Sequence, residues 1–287
     1  MRFLENSFKF LGKNIIFVIP LFLVNLFYTF TFFLKTNISE LEGILQEISA
    51  RGNQYINNNP QITEEIMKQI IPDPDGLRNV MGISFILFLL IIPATYGIIN
   101  RIYSEGKASF GSFFVEMKNN VLKFILYCFS LMFLFIGVGL AVFIVTLIVG
   151  IIGQTSVAAM TLIIILMALL GIIFSIFLTN VTIMGFAVVV TDKTGAFSAI
   201  SRGISAIRAY FWPTIGITLL LGFGTSVVNS TIMAILMKNL KEVVAISSAT
   251  VSTIFMFILI VFNFEIYRYQ TDQDVQTIDQ IPNASDI

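Results

Sequence analysis

Residues Val157–Val190 read VAAMTLIIILMALLGIIFSIFLTNVTIMGFAVVV, and no Asp, Glu, Lys or Arg interrupts them. A helix rises about 1.5 Å per residue and a bilayer's hydrocarbon core is about 30 Å thick, so roughly 20 apolar residues cross it. This stretch is longer than that. Inside lipid the backbone must satisfy its own N–H and C=O groups, which a single apolar segment can do only as a helix. Five further runs flank it: Asn14–Leu34, Val80–Arg101, Val121–Gly153, Pro213–Met237 and Val243–Arg268. The pattern predicts an all-α polytopic membrane protein, with six transmembrane helices in three hairpins and amphipathic interfacial helices between them. Residues 1–270 form one six-span domain in this reading. Residues 35–79 are its outer helical loop, and 271–287 a polar cytoplasmic tail.

Composition agrees. Hydrophobic residues are 56% and charged residues 12% of the chain, against about 45–50% and about 25% in a soluble domain. The formal net charge is zero, which gives nucleic acid no reason to bind. The partner implied is the lipid bilayer; a membrane-protein partner is left unidentified. Cys128 is the only cysteine and lies in the third run, so no intrachain disulfide can form. The first run follows Arg2, Lys9 and Lys13 but is longer than a signal-peptide core and lacks a small-x-small cleavage site, so it reads as an uncleaved span.

Lys and Arg placement sets the expected topology. With the N-terminus inside, eleven of the 17 basic residues fall in cytoplasmic segments, among them Arg101, Lys107, Lys118, Lys123, Lys193, Arg202 and Arg208. Four of the remaining six are diluted along the long outer loop. Both termini are expected in the cytoplasm, at the cell membrane. Within the outer loop, Leu41, Ile44, Leu45 and Ile48 form one apolar stripe. Ile62, Ile66 and Ile70 form another, with Pro60 before it and Pro72–Pro74 ending it.

The cytoplasmic segments repeat a pattern. Leu4, Phe8, Leu11 and Ile15 share one helix face. Phe110, Phe113, Phe114, Met117 and Val121 share a second, and Phe197, Ile200, Ile204, Ile207 and Phe211 a third. Ser104-Glu105-Gly106-Lys107-Ala108-Ser109-Phe110 aligns with Thr191-Asp192-Lys193-Thr194-Gly195-Ala196-Phe197: hydroxyl, acid, two variable, two small, Phe. One reading is triplication of a helical hairpin with an interfacial helix. The other is that any inner loop needs a cap and an anchor.

The third and fourth runs exceed 30 residues and must tilt, kink or project. Gly137, Gly139, Gly150, Gly153 and Gly171 are candidate bend or close-packing points. Gly222, Ser226 and Ser230, with Ala245, Ala249 and Thr253, place small residues at four-residue spacing, as close helix packing requires.

Reactive chemistry is scarce. The chain has no histidine, which removes His-based acid–base catalysis, His metal sites and His-containing triads. There is no Walker A or HExxH sequence, and no cofactor or metal is implied. Ionisable and amide groups within spans are the usual functional pointers. Here they are Asn25, Asn180, Asn229, Asn263 and Glu265, with Arg268 three residues on and placed to neutralise Glu265. Glu105 and Asp192 read as solvated caps.

Gly185-Phe186-Ala187-Val188-Val189-Val190-Thr191-Asp192-Lys193, continuing through Phe197 and Arg202-Gly203 to Tyr210-Phe211-Trp212-Pro213, resembles the membrane domain associated with bacterial glycerophosphoryl diester phosphodiesterases and its stand-alone uncharacterised relatives. There a span ends in an acid, a helix with a basic residue follows, then an aromatic pair and the next span. The resemblance implies an interfacial motif of Asp192, Phe197, Arg202, Trp212 and Pro213. It covers the membrane part alone, since the catalytic domain and its histidines are absent.

Two functions are compatible with the sequence. A non-enzymatic accessory, scaffold or membrane-organising protein needs no reactive group. A transporter or channel-like protein for a small or lipid-like solute would need the Asn residues and Glu265 to line one path. An intramembrane enzyme would have to work with Asp, Glu, Lys, Ser or Cys128.

Overall fold

The computed structural model describes residues 2–36, 71–152, 157–236 and 241–271, all in helices or short connections, with no strand among them. The order is α1 (Arg2–Lys13), a 3₁₀ turn (Ile15–Val18), α2 (Ile19–Lys35), α3 (Pro74–Glu105), α4 (Phe110–Ile152), α5 (Val157–Asp192), α6 (Ala196–Ala209), α7 (Phe211–Leu236) and α8 (Lys241–Gln270). Six stretches are long and apolar enough to cross a membrane: Ile15–Lys35, Pro74–Glu105, Phe110–Leu147, Ile165–Asp192, Phe211–Leu236 and Lys241–Gln270. The protein is thus a helical multi-pass membrane protein. The expected helices of the outer loop, Gly153 and the expected polar tail beyond Thr271 lie outside the described residues.

Element boundaries have local causes. The helix that Pro72–Pro74 is expected to end lies outside the described residues, and the next helix starts at Pro74. Pro74 takes the first helical position, where its missing N–H is harmless. Asp73 caps α3 by accepting the Gly76 amide at 2.8 Å. A Cβ on Gly76 would come within 2.1 Å of the Asp73 carboxylate, so the cap needs glycine there. Lys35, the last residue of α2, also pairs with Asp73. The Lys35 ammonium first, then the Gly76 amide, holds the Asp73 carboxyl below its ordinary value. Stability from a depressed carboxyl is present above its ordinary range and lost as pH falls through the lowered value. D73A should therefore lower the thermal midpoint in detergent more than D73N, which keeps the capping oxygen. The difference between wild type and D73N should shrink in acid.

The chain falls into two compact units. The smaller one comprises Phe17–Ile92 and Phe223–Met256. Phe33 packs there on Val244 and Ala245, with Phe30, Ile232, Met233 and Leu236 around them. Ala245, Ala249 and Thr253 are buried, as their spacing suggests. The α7 half of the small-residue pattern is different. Nothing lies within 4 Å of a Cβ built on Gly222, and Ser226 and Ser230 are exposed.

The larger unit comprises Met1–Ile16, Pro93–Gly222 and Phe257–Ile287. Its centre is aromatic. Tyr96 of α3 meets Phe186 of α5 at 4.9 Å and Phe264 of α8 at 5.5 Å between ring centroids. Phe124 of α4 closes on Phe186 at 4.7 Å. The second amphipathic segment does not form a separate helix: α4 runs unbroken for 43 residues from Phe110. The third does. Pro213 is the reason, because its ring crowds the carbonyl four residues back, at Ala209, where α6 ends. Gly137, Gly139 and Gly171 are neither close-packing points nor breaks: α4 and α5 continue through them and nothing approaches within 4 Å. Their neighbours Phe133, Phe143 and Leu170 are exposed, so this surface faces lipid, where a glycine meets no partner helix.

Candidate functional site

The two aligned loop segments fold into matching elbows. α3 ends at Glu105 and α5 at Asp192, the two aligned acids. The next residue is left-handed in both: Gly106 at φ 74° and Lys193 at φ 54°. Glycine adopts that conformation without penalty, whereas an L side chain crowds the following carbonyl at a cost of about 1–2 kcal/mol. The following helix then folds back across the span's last turns. A Cβ on Gly97 would meet the Glu116 Cβ at 2.6 Å. In the second elbow Gly203 lies against Gly185, where a Cβ would meet the Gly185 nitrogen at 3.1 Å. Gly97 aligns with Met184, and Glu116 with Gly203, so the close approach recurs within one residue of the matching position.

Glu105 is solvated, its side chain 52% exposed, whereas Asp192 is not. Glu105, as the last residue of α3, accepts from Arg101 at 2.9 Å. Asp192 ends α5 with its side chain only 15% exposed. It accepts from Arg202 of α6 at 2.6 Å and from the Tyr267 hydroxyl of α8 at 2.5 Å. The Asp192 hydrogen bond raises the already high pKa of the Arg202 guanidinium. Capping of α4 falls to Ser109, whose hydroxyl accepts the Ser112 amide while the Ser112 hydroxyl accepts the Ser109 amide, both at 3.3 Å. Of the remaining motif residues, Phe197 and Trp212 are 67% and 74% exposed, and Pro213 is exposed in the first turn of α7.

Glu265 is 2% exposed. It interacts electrostatically with Arg268, as the spacing suggests, and its hydrogen-bond donors are distant in the chain: the Tyr103 hydroxyl at 2.6 Å and the Asn6 amide at 3.1 Å. Arg268 stands over the Tyr103 ring at 5.3 Å and donates to the Tyr103 carbonyl at 3.5 Å. Phe10 of α1 stacks on the other partner of this group, the Tyr103 ring, at 4.9 Å. The carboxylate therefore ties α1, α3 and α8 together, where the sequence suggests only an i, i+3 pair.

Asn180 and Asn263 come together within the larger unit. Asn180 donates to the Thr218 hydroxyl at 2.9 Å, and Asn263 donates to the Asn180 carbonyl oxygen at 3.3 Å. All three side chains are buried. Asn25 donates to Thr253 at 2.9 Å within the smaller unit. Asn229 is half-buried, and its carbonyl oxygen has no hydrogen-bond partner among the described residues. N180L should cost about 1 kcal/mol, in the range of about 0.6–2 kcal/mol for interhelical amide bonds in membranes. A cycle with N263L, followed by chemical unfolding in detergent, should be non-additive because the two share a bond.

Two cavities in the larger unit are built on the elbows. One, of about 710 Å³, lies along Asp192, Arg202, Tyr210 and Tyr267. The other, of about 480 Å³, is lined by Arg101, Glu116, Asn120 and Lys123 and reaches Val190 and Lys193 of the second elbow. None of Asn25, Asn180, Asn229, Asn263 and Glu265 lines either one. Among the described residues no group of three or more Cys, Asp or Glu side chains is placed to hold a metal ion. Comparison with protein-family models, curated proteins and solved structures finds no match.

Sequence reasoning missed Asn6, Tyr103, Thr218 and Tyr267. The two tyrosines each lie near the end of an apolar run beside a charged residue, which is where a phenol can serve a buried carboxylate.

Proposed function

We propose that the protein is a non-enzymatic component of the cytoplasmic membrane with both chain ends on the cytoplasmic side, acting as an accessory or membrane-organising protein through its elbow face. One observation carries this: Asn25, Asn180, Asn263 and Glu265 are each engaged in hydrogen bonds between helices, and the two cavities described above lie at the elbows instead. A conducting path would require those groups to face a shared water-filled space. The matched left-handed residues, aligned helix ends and recurring glycine contacts support an origin by internal repetition, with α1, the start of α4 and α6 as interfacial helices. The likeness of residues 185–213 to the phosphodiesterase-associated membrane domain supports the same reading. That likeness extends to spans and interfacial helix, and not to catalysis.

The test is a flux measurement. Proteoliposomes should pass ions, polar solutes and fluorescent lipids no faster than empty vesicles, and purified protein should not hydrolyse phosphodiesters. Flux above background that N263L abolishes would overturn the proposal.

A further inference from the structure

We infer that the cavity between the first elbow and Lys193 is a binding site for a phosphodiester head group. This builds on the elbow-face reading above by naming a ligand for that face. The charges carry it. Arg101, Lys123 and Lys193 line the cavity with Glu105 and Glu116. Arg101 engages both carboxylates, at 2.9 Å and 3.8 Å. That leaves two ammonium groups. Lys123 donates to the Asn120 carbonyl oxygen at 3.3 Å, and neither lysine forms an ion pair among the described residues. Three cations against two anions leave one positive charge, which a phosphodiester matches with its single negative charge. Phosphate oxygens are also the acceptors that ammonium groups favour.

Lys193 adds an independent observation. It holds a left-handed backbone that its counterpart Gly106 adopts freely, so glycine would serve the turn better than lysine. Strained residues of this kind cluster at ligand clamps. A lysine in the cavity lining is what the strain secures. Depth favours a lipid as the source. Arg101, Lys123 and Lys193 mark the ends of apolar runs, where head groups lie and where basic pockets between spans bind them. Leu122 and Leu126, beside Lys123 on α4, are exposed, as a surface meeting acyl chains requires.

The experiment measures binding to the full-length protein in detergent by native mass spectrometry. The probes are dioctanoyl phosphatidylglycerol, the same head group as tail-less glycerophosphoglycerol, and inorganic phosphate. Wild type should bind the diester, and K193G/K123Q should weaken it at least tenfold. K193G suits the backbone, so the loss should come without a lower thermal midpoint. K118A, at an exposed lysine outside the cavity, should bind as wild type. Preference for the tailed probe identifies a membrane lipid, and equal binding of the tail-less one identifies a free diester; either supports the site. No binding of any probe, wild-type affinity in K193G/K123Q, or an equal loss in K118A would overturn it. Flux data bear only on the proposed function, so the two can fail separately.

Discussion

G185A should destabilise the protein by about 2 kcal/mol, although alanine is the better helix former by about 1 kcal/mol. The new methyl would stand 2.3 Å from the Tyr127 hydroxyl. Tyr127 is fully buried, and its hydroxyl donates to the Thr182 carbonyl at 2.9 Å. The ring must therefore move within packed surroundings. Overpacking of this sort costs about 1–3 kcal/mol, and the lost hydrogen bond about 1 kcal/mol more. Y127F removes the colliding atom and leaves behind carbonyls that belong to a helix. The double variant G185A/Y127F should thus recover most of the loss, measured as a thermal midpoint in detergent. Failure of that rescue would show that Gly185 is required for some other contact. G203A meets backbone at 3.1 Å, where a small shift trades against helix propensity; G203V has no such escape and should loosen α6 from α5.

E265A should be the second large effect, about 3–5 kcal/mol. It removes the acceptor of two hydrogen bonds, each worth about 1.5–3 kcal/mol when one side is charged, and leaves the buried Tyr103 hydroxyl unsatisfied. E265Q keeps an acceptor of the same shape and should lose less than half as much. Y103F should behave like E265Q, and the pair should be strongly non-additive in a double-mutant cycle followed by unfolding in detergent. Additive losses would mean that the carboxylate and the phenol do not act together.

These contacts show where sequence reading stops. The spans are legible because lipid leaves an apolar segment one backbone solution. The bend at Pro213 follows from ring sterics once α6 is seen to end at Ala209. Partners distant in the chain are a different matter. Asn6 reaches Glu265 across 259 residues, and no local spacing records that, so the sequence offers only the electrostatic partner Arg268. Asp192 and Arg202 stand together in the resemblance, but Tyr267, which completes their group, lies beyond its end. Gly137 and Gly222 carry the composition of packing sites without any packing, because a helix periodicity does not say which neighbour arrives. Gly185 and Gly203 do the packing; both stand in the stretch that carries the resemblance, but no helix spacing marks them as contacts.

The amide of Gln270 donates to the Ala206 carbonyl at 2.8 Å, while Tyr267, one turn earlier on α8, holds Asp192. The end of the last span therefore grips α6 from its side and α5 at its tip. Tension applied to the chain after Thr271, by a tethered protein or an optical trap, would reach those two helices before α8 itself unwound, making this corner a mechanical junction.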